Sequence, residues 1–284
     1  MIPATFEYIR AGSVDEAVAA LGEHGDEAKV LAGGHSLLPM MKLRLAVPEY
    51  LVDVGRVEEL HGVREDGDHL AIGAATTHHD VMTDDLVRRH CGVLAQVTAT
   101  IGDAQVRHRG TIGGGIAHGD PAGDLPAALL ALGGEVVAAG PGGRRTIAAA
   151  DLFSDYLETS LAHDEVLVEV RVPKLGDGWG WNYQKFNRVA QAWAIVGSCA
   201  LVQRSNGHIG DVRVGLTHMG TVPVRATATE QALSGASPDD ITSASESAAE
   251  GTEPPSDLNA DADFRRHLAR VLTRRALQTA AGVG

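Results

Sequence analysis

TIGGGIAHGDPAGDLP, residues 111–126, sets five glycines beside two aspartates in a chain that is already acidic. Glycine loses more conformational freedom on folding than any other residue, so the run Gly113–Gly115 needs a reason. Either the chain turns a tight corner there, or its bare backbone lies against something. AGGHSLLP, residues 32–39, raises the same question directly after the short apolar strand AKVL.

Neither stretch carries the GxGxxG fingerprint of a dinucleotide fold or the GK[ST] of a P-loop, so two common nucleotide folds are disfavoured. What both offer is consecutive backbone N–H groups, which form anion-binding concavities. Two such loops, eighty residues apart from Gly33 to Gly113, suit the two halves of a pyrophosphate. The competing reading is that each is only a turn.

Composition narrows the classes. The 284 residues hold 24 Lys and Arg against 37 Asp and Glu, for a net charge of −13. That balance argues against a nucleic-acid surface or a polybasic membrane anchor, and it leaves room for an anion site built from amides. Two cysteines, Cys91 and Cys199, make neither a disulfide framework nor an iron–sulfur cluster, which takes about four. The start MIPATFEYIR lacks a signal-peptide pattern, and no apolar run reaches the roughly 20 residues of a membrane span. The expectation is a cytoplasmic protein. HEXXH and GxSxG are absent. His78 and His79 are adjacent and diverge on a helix, and the scattered histidines read as surface residues.

Along the chain, SVDEAVAALGEHG reads as a helix capped by Ser13 with Glu16 at capping-box spacing. YLVDV (50–54) and HLAIGA (69–74) read as strands, and residues 76–102 as short helices capped by Thr77 and Thr83. A helix is expected from Asp124 to Leu132. There Asp124 reads either as a cap or as an acceptor for a bound cofactor. EVVAAG, a PGG turn, RRTI, a short helix near Asp151 and EVLVEVRVP follow. KLGDGWG (174–180) looks like a linker. Two strands meet at Asn206–Gly207, a strong hairpin signal. Helices are expected near 226–234 and 238–249, and a last one from Asp261.

AGGHSLLPMMKLRLAVPEYLVDV (32–54), IGAATT (72–77), TIGGGIAHGDPAGDLPAALLAL (111–132) and YQKF (183–186) occur in this order. Together they resemble the FAD-binding medium subunit of the molybdenum hydroxylases, the xanthine dehydrogenase superfamily. GGHSLLPMMKLRL and AHGDPAGDLP look nearest to the flavoprotein subunit of aerobic carbon monoxide dehydrogenases. The resemblance implies an α+β chain. It has a two-part FAD-binding domain of the PCMH/VAO-like kind over residues 1–176, divided into about 1–57 and 58–176. A small α/β C-terminal domain with a β-sheet and helices follows over 177–284.

By the same resemblance, Leu31, Ala32, Gly33, Gly34, His35, Ser36, Leu37 and Leu38 form the first loop over the FAD pyrophosphate. Thr111, Ile112, Gly113, Gly114 and Gly115 form the second. Ile101 falls beside the flavin, and Asp124, Leu167 and Lys185 fall on cofactor-contact positions. Without the resemblance, Lys185 reads equally as an exposed strand lysine. The family usually carries Asn or Ser where this chain has Gly115. FAD binding is implied to be non-covalent, so His35 and His118 read as ordinary loop residues. The implied partners are an iron–sulfur small subunit with [2Fe–2S] clusters and a large subunit with the molybdenum cofactor, as a dimer of heterotrimers. The implied role is electron transfer to an external acceptor, with substrate oxidised in the partner. Two other readings stand beside it: a self-contained FAD-linked oxidase, and a cofactor-free scaffold subunit.

Overall fold

The computed structural model describes residues 2–283. Three larger sheets and one two-stranded sheet make up the framework. The first holds β1 (Glu7–Arg10), β2 (Ala28–Leu31) and β3 (Tyr50–Asp53), all parallel in the order β1-β3-β2. Helix α1 (Val14–His24) joins β1 to β2. It starts where Ser13 Oγ accepts from Glu16 N–H at 3.1 Å, and the Glu16 carboxylate accepts from Gly12 N–H at 2.7 Å. Its inward residues Val14, Ala17, Ala20 and Leu21 are buried. After β2 the chain passes through Gly33–Gly34 into α2 (Leu37–Lys42).

The second sheet contains β4 (Val63–Asp66) and β5 (His69–Gly73). Six helices then intervene: α3 (His78–Thr83), α4 (Asp85–His90), α5 (Gly92–Ala99), α6 (Ala104–Arg107), α7 (Ile112–Ala117) and α8 (Asp124–Leu132). β6 (Glu135–Gly140) and β7 (Gly143–Ala148) return to the sheet. Helix α9 (Ala149–Leu152) and a small hairpin of β8 (Phe153–Asp155) and β9 (Glu158–Thr159) lead to β10 (Val166–Pro173). The order is β4-β5-β10-β6-β7, antiparallel throughout. Both faces of this sheet are covered, which is why β10 reads as nearly continuous apolar sequence. Val166 and Val168 enter the core shared with α1 and the first sheet. Leu167, Val170 and Val172 enter the core beneath the helices. A register shift between Leu167 and Glu169 adjusts the alternation.

The third sheet pairs β11 (Trp179–Phe186), β12 (Val196–Ser205), β13 (His208–Thr217) and β14 (Val224–Arg225) in sequence order, antiparallel. Asn206 and Gly207, both at positive φ (52° and 84°), make the hairpin. Helices α10 (Thr227–Leu233), α11 (Ile241–Ala244) and α12 (Ala262–Ala281) complete this part, with α12 packed on β11 and β12. The fold is therefore mixed α and β, with a two-sheet first portion and a separate C-terminal sheet.

Several local expectations are corrected. Thr111–Gly115 is a helix start, since Ile112–Ala117 is helical and Thr111 is its cap. The end of the linker-like KLGDGWG is already strand β11. Asp84, one residue beyond Thr83, caps α4, because its Oδ1 accepts from both Leu86 and Val87 N–H. Residues 238–249 form only α11 flanked by 3-10 turns.

Helix α8 lies against β12 and β13 and so joins the two portions. A Cβ on Gly215 would stand 2.1 Å from the carbonyl oxygen of Ala127. Gly215→Ala should therefore cost about 1–3 kcal/mol as an overpacked site. Gly142→Ala, where a Cβ meets nothing within 4 Å, should be near neutral. Urea unfolding of the two variants checks this, and equal midpoints would contradict the close packing.

Candidate functional site

A cavity of about 620 Å³ opens between the first sheet, the helices over the second sheet and the start of the C-terminal sheet, within the usual range for small-molecule and cofactor sites. The structure brings thirteen of the sequence-chosen residues to its walls: Leu31–Leu37, Ile101, Thr111, Gly114, Gly115, Asp124 and Lys185. The other four stay apart. Leu38 packs beneath Gly34 and lines a neighbouring cleft. Ile112 is fully buried, Gly113 is pressed on Ala74, and Leu167 lies in the core on β10.

The first glycine segment is shaped by contact with the stretch between α6 and α7. A Cβ on Gly33 would stand 2.2 Å from the carbonyl oxygen of Arg109, so only glycine lets the loop lie there. Gly34 holds φ +74°, a left-handed value that glycine adopts at little cost. The carbonyls of Gly34 and Ser36 accept from Leu38 and Met40 N–H at 3.0 and 3.2 Å. The N–H groups of Gly33, Gly34, His35 and Ser36 donate to no acceptor among the described residues. This is a run of free donors beside a cavity, an arrangement that suits an anion.

The second segment differs. Ile112 N–H donates to Thr76 O, Gly113 N–H to Ala74 O and Gly115 N–H to Thr111 O, all within 3.0 Å. Gly114 N–H donates to Thr111 Oγ1 at 3.1 Å. The expectation of bare amides here is corrected, because capping and the contact with residues 74–76 use them. What this segment presents to the cavity is the smooth surface of Gly114 and Gly115.

The opposite end is built on a buried ion pair. Asp124 is the first residue of α8, with Gly123 in the cap position, so its carboxylate does not cap the helix. Its Oδ2 lies 2.7 Å from Lys185 Nζ, and its Oδ1 accepts from the Tyr183 hydroxyl at 2.5 Å. Lys185 Nζ also donates to Thr100 O at 3.1 Å, beside Ile101. Tyr183 and Lys185 are two apart on β11, hence on one face. The Lys185 side chain is only 6% exposed, which removes the exposed-strand reading. Burial pushes the Asp124 carboxyl above its ordinary range, while the Lys185 ammonium and the Tyr183 hydroxyl oppose that rise. Burial, then the Asp124 charge, raises Tyr183 well above its usual value, so the phenol keeps its proton.

Sequence reasoning missed several wall residues. Trp193, Gln191 and Ala192 reach the cavity from the segment between β11 and β12. Trp193 is one of only three tryptophans, but its exposure beside the cavity is a property of the fold. His78 is also in the wall, and it is buried, not a surface residue. Among the described residues, no group of three or more His, Cys, Asp or Glu side chains is placed to hold a metal ion. Nor is any described helix long and apolar enough to cross a membrane.

Removing one partner of a buried pair is costly. Lys185→Met should destabilise the chain by about 3–5 kcal/mol near neutral pH. The loss should shrink in acid, and the sign follows from the Asp124 shift. Without Lys185 the carboxyl titrates still higher. The native state then holds a proton that the unfolded chain has released, so stability falls as pH rises through that window. Urea unfolding of the variant at about pH 5 and pH 8 measures this. A deficit independent of pH would contradict it.

Comparisons with known proteins agree in extent. The family described as the FAD binding domain in molybdopterin dehydrogenase matches residues 4–175. The CO dehydrogenase flavoprotein C-terminal domain matches residues 181–280. The chain is 44% identical to the carbon monoxide dehydrogenase medium chain of Hydrogenophaga pseudoflava, over 99% of this chain and 98% of that one. The solved carbon monoxide dehydrogenase of that organism superposes with a TM-score of 0.97, covering 99% of each chain. The glyceraldehyde dehydrogenase medium chain of Sulfolobus acidocaldarius is 34% identical, over 99% of this chain and all of that one.

Proposed function

The chain belongs to the FAD-binding medium subunits of the molybdenum hydroxylases, and from that premise we propose that it serves a carbon monoxide dehydrogenase. It is a flavoprotein subunit that takes electrons from the iron–sulfur clusters of a small subunit and passes them through FAD to an external acceptor. Substrate oxidation belongs to a large, molybdenum-containing subunit. The greater identity to carbon monoxide dehydrogenase (44%) than to glyceraldehyde dehydrogenase (34%) favours the first substrate. We place the assembly in the cytoplasm as a dimer of heterotrimers.

The observation that carries the cofactor assignment is the run of free N–H groups at Gly33–Ser36, opening on the same cavity as Asp124 and Lys185. Four amide donors suit the diphosphate of FAD without any cationic side chain, so the site is compatible with a chain of net charge −13. In this reading Leu31–Leu37 hold the diphosphate, and Thr111, Gly114 and Gly115 form the surface opposite. Ile101, Asp124 and Lys185 border the flavin, with Trp193 at the open side. The ammonium and carboxylate cancel, so that end presents shape and hydrogen bonds with little net charge. When bound, FAD accepts electrons singly and passes them on in pairs; the protein supplies position and electrostatics.

The chain loaded with FAD should be yellow and should release all its flavin on acid precipitation. It should be reduced by dithionite and remain inert to carbon monoxide when alone. With the iron–sulfur and molybdenum subunits present, stopped-flow absorbance should show the flavin bleaching on addition of carbon monoxide. Oxygen-dependent turnover of an organic substrate by the chain alone would overturn the electron-transfer reading. Bleaching by another substrate but not by carbon monoxide would overturn only the substrate.

A further inference from the structure

We infer that His78 is a cofactor-binding residue, donating from Nε2–H to the anionic diphosphate held between the two glycine segments. The inference rests on the FAD reading above. His78 opens α3, and its N–H donates to Gly110 O at 2.9 Å, which fastens it to the second segment. Its side chain is buried, with the residue only 5% exposed, yet it forms part of the cavity wall.

The ring's edge is defined by the glycines around it. A Cβ on Gly110 would stand 2.8 Å from Cδ2 and 3.0 Å from Nε2, and a Cβ on Gly115 would stand 3.6 Å from Cε1. Glycine at both positions leaves the Nε2 edge uncovered. The opposite nitrogen, Nδ1, is buried with no partner among the described residues. A proton on Nδ1 would be an orphaned buried donor, which costs more than an idle lone pair. The neutral ring therefore carries its proton on Nε2, the nitrogen between Gly110 and Gly115.

Charge points the same way. Burial, then His35 on the first segment and Arg107 on α6, hold His78 down to a pKa of about 4, so it is a neutral donor at physiological pH. The free amides of the first segment and the Nε2 edge of His78 on α3 line the same cavity, and the acceptor that answers both is an anion.

The test uses the full chain, stripped of flavin and titrated with FAD or riboflavin, with flavin fluorescence as the readout. His78→Phe keeps the ring's shape and removes the donor. It should weaken FAD about ten- to a hundredfold, the worth of a hydrogen bond to a charged group. Riboflavin, which has no phosphate, should bind unchanged, and His78→Gln, which keeps a side-chain N–H, should recover part of the FAD affinity. Equal weakening of FAD and riboflavin, or none, would overturn the inference. Nitrogen-15 NMR of wild-type histidines decides independently of the variants' folding. It should show Nε2 protonated before FAD and its resonance shifted after; an Nδ1-protonated ring would overturn the assignment. If the wild-type chain binds no FAD, the FAD reading itself fails and this inference falls with it.

Discussion

Two charges buried to within a few per cent of full enclosure, Asp124 and Lys185, can persist only together. Each would cost several kcal/mol to remove from water alone. Asp124 starts α8 in the first portion, whereas Lys185 and Tyr183 belong to β11 of the C-terminal sheet. Their mutual satisfaction therefore sets the register of one portion against the other. The second bond from Lys185, to Thr100 O, draws the end of α5 and Ile101 into the same corner. A hydrophobic substitute could hold the seam as well. What the ion pair adds is a fixed geometry at the edge of the cavity.

Glycine supplies the other joints. Gly33 admits the Arg109 carbonyl, Gly113 admits Ala74, Gly180 admits the Ala280 carbonyl and Gly215 admits the Ala127 carbonyl, each closer than any side chain allows. These contacts seat the loop on the stretch between α6 and α7, α7 on the second sheet, α12 on β11 and α8 on β13. The two glycine segments thereby acquire different work. One meets its neighbour through Gly33 and leaves its amides free. The other uses its amides on Thr111, Ala74 and Thr76 and leaves a smooth face. The cavity is lopsided in consequence, with amide donors on one wall and close-packed glycine opposite, where His78 is the side-chain donor.

This division of labour agrees with what a medium subunit must do. The chain has only two cysteines, both free, too few for a cluster, and the proposed flavin site is the cavity of about 620 Å³. In the proposed function its contribution is to position the flavin beside a charge-paired corner, Asp124 with Lys185. The same scaffold serves relatives of different substrates, because substrate chemistry is carried by another subunit.

Much of this was legible in the residues themselves. Ser13 and Thr77 cap the helices they precede, the last helix starts beside Asp261, and Asn206–Gly207 turns the hairpin, because capping and turn geometry are settled within a few consecutive residues. The two glycine segments stood out for the same local reason, and the motif order carried the family. The burial of Lys185, the use of the amides at 112–115, the strand hidden in the linker-like stretch and the turn of His78 and Trp193 toward the cavity were not legible. Each depends on a partner distant in sequence: Asp124 for Lys185, Thr76 for Ile112, β12 for β11, Gly110 for His78. Sequence by itself determined which residues can cap, turn and leave the backbone bare. Only the tertiary structure decided which of those bare groups stay free for a ligand, because a hydrogen bond is available only after the fold has claimed the others.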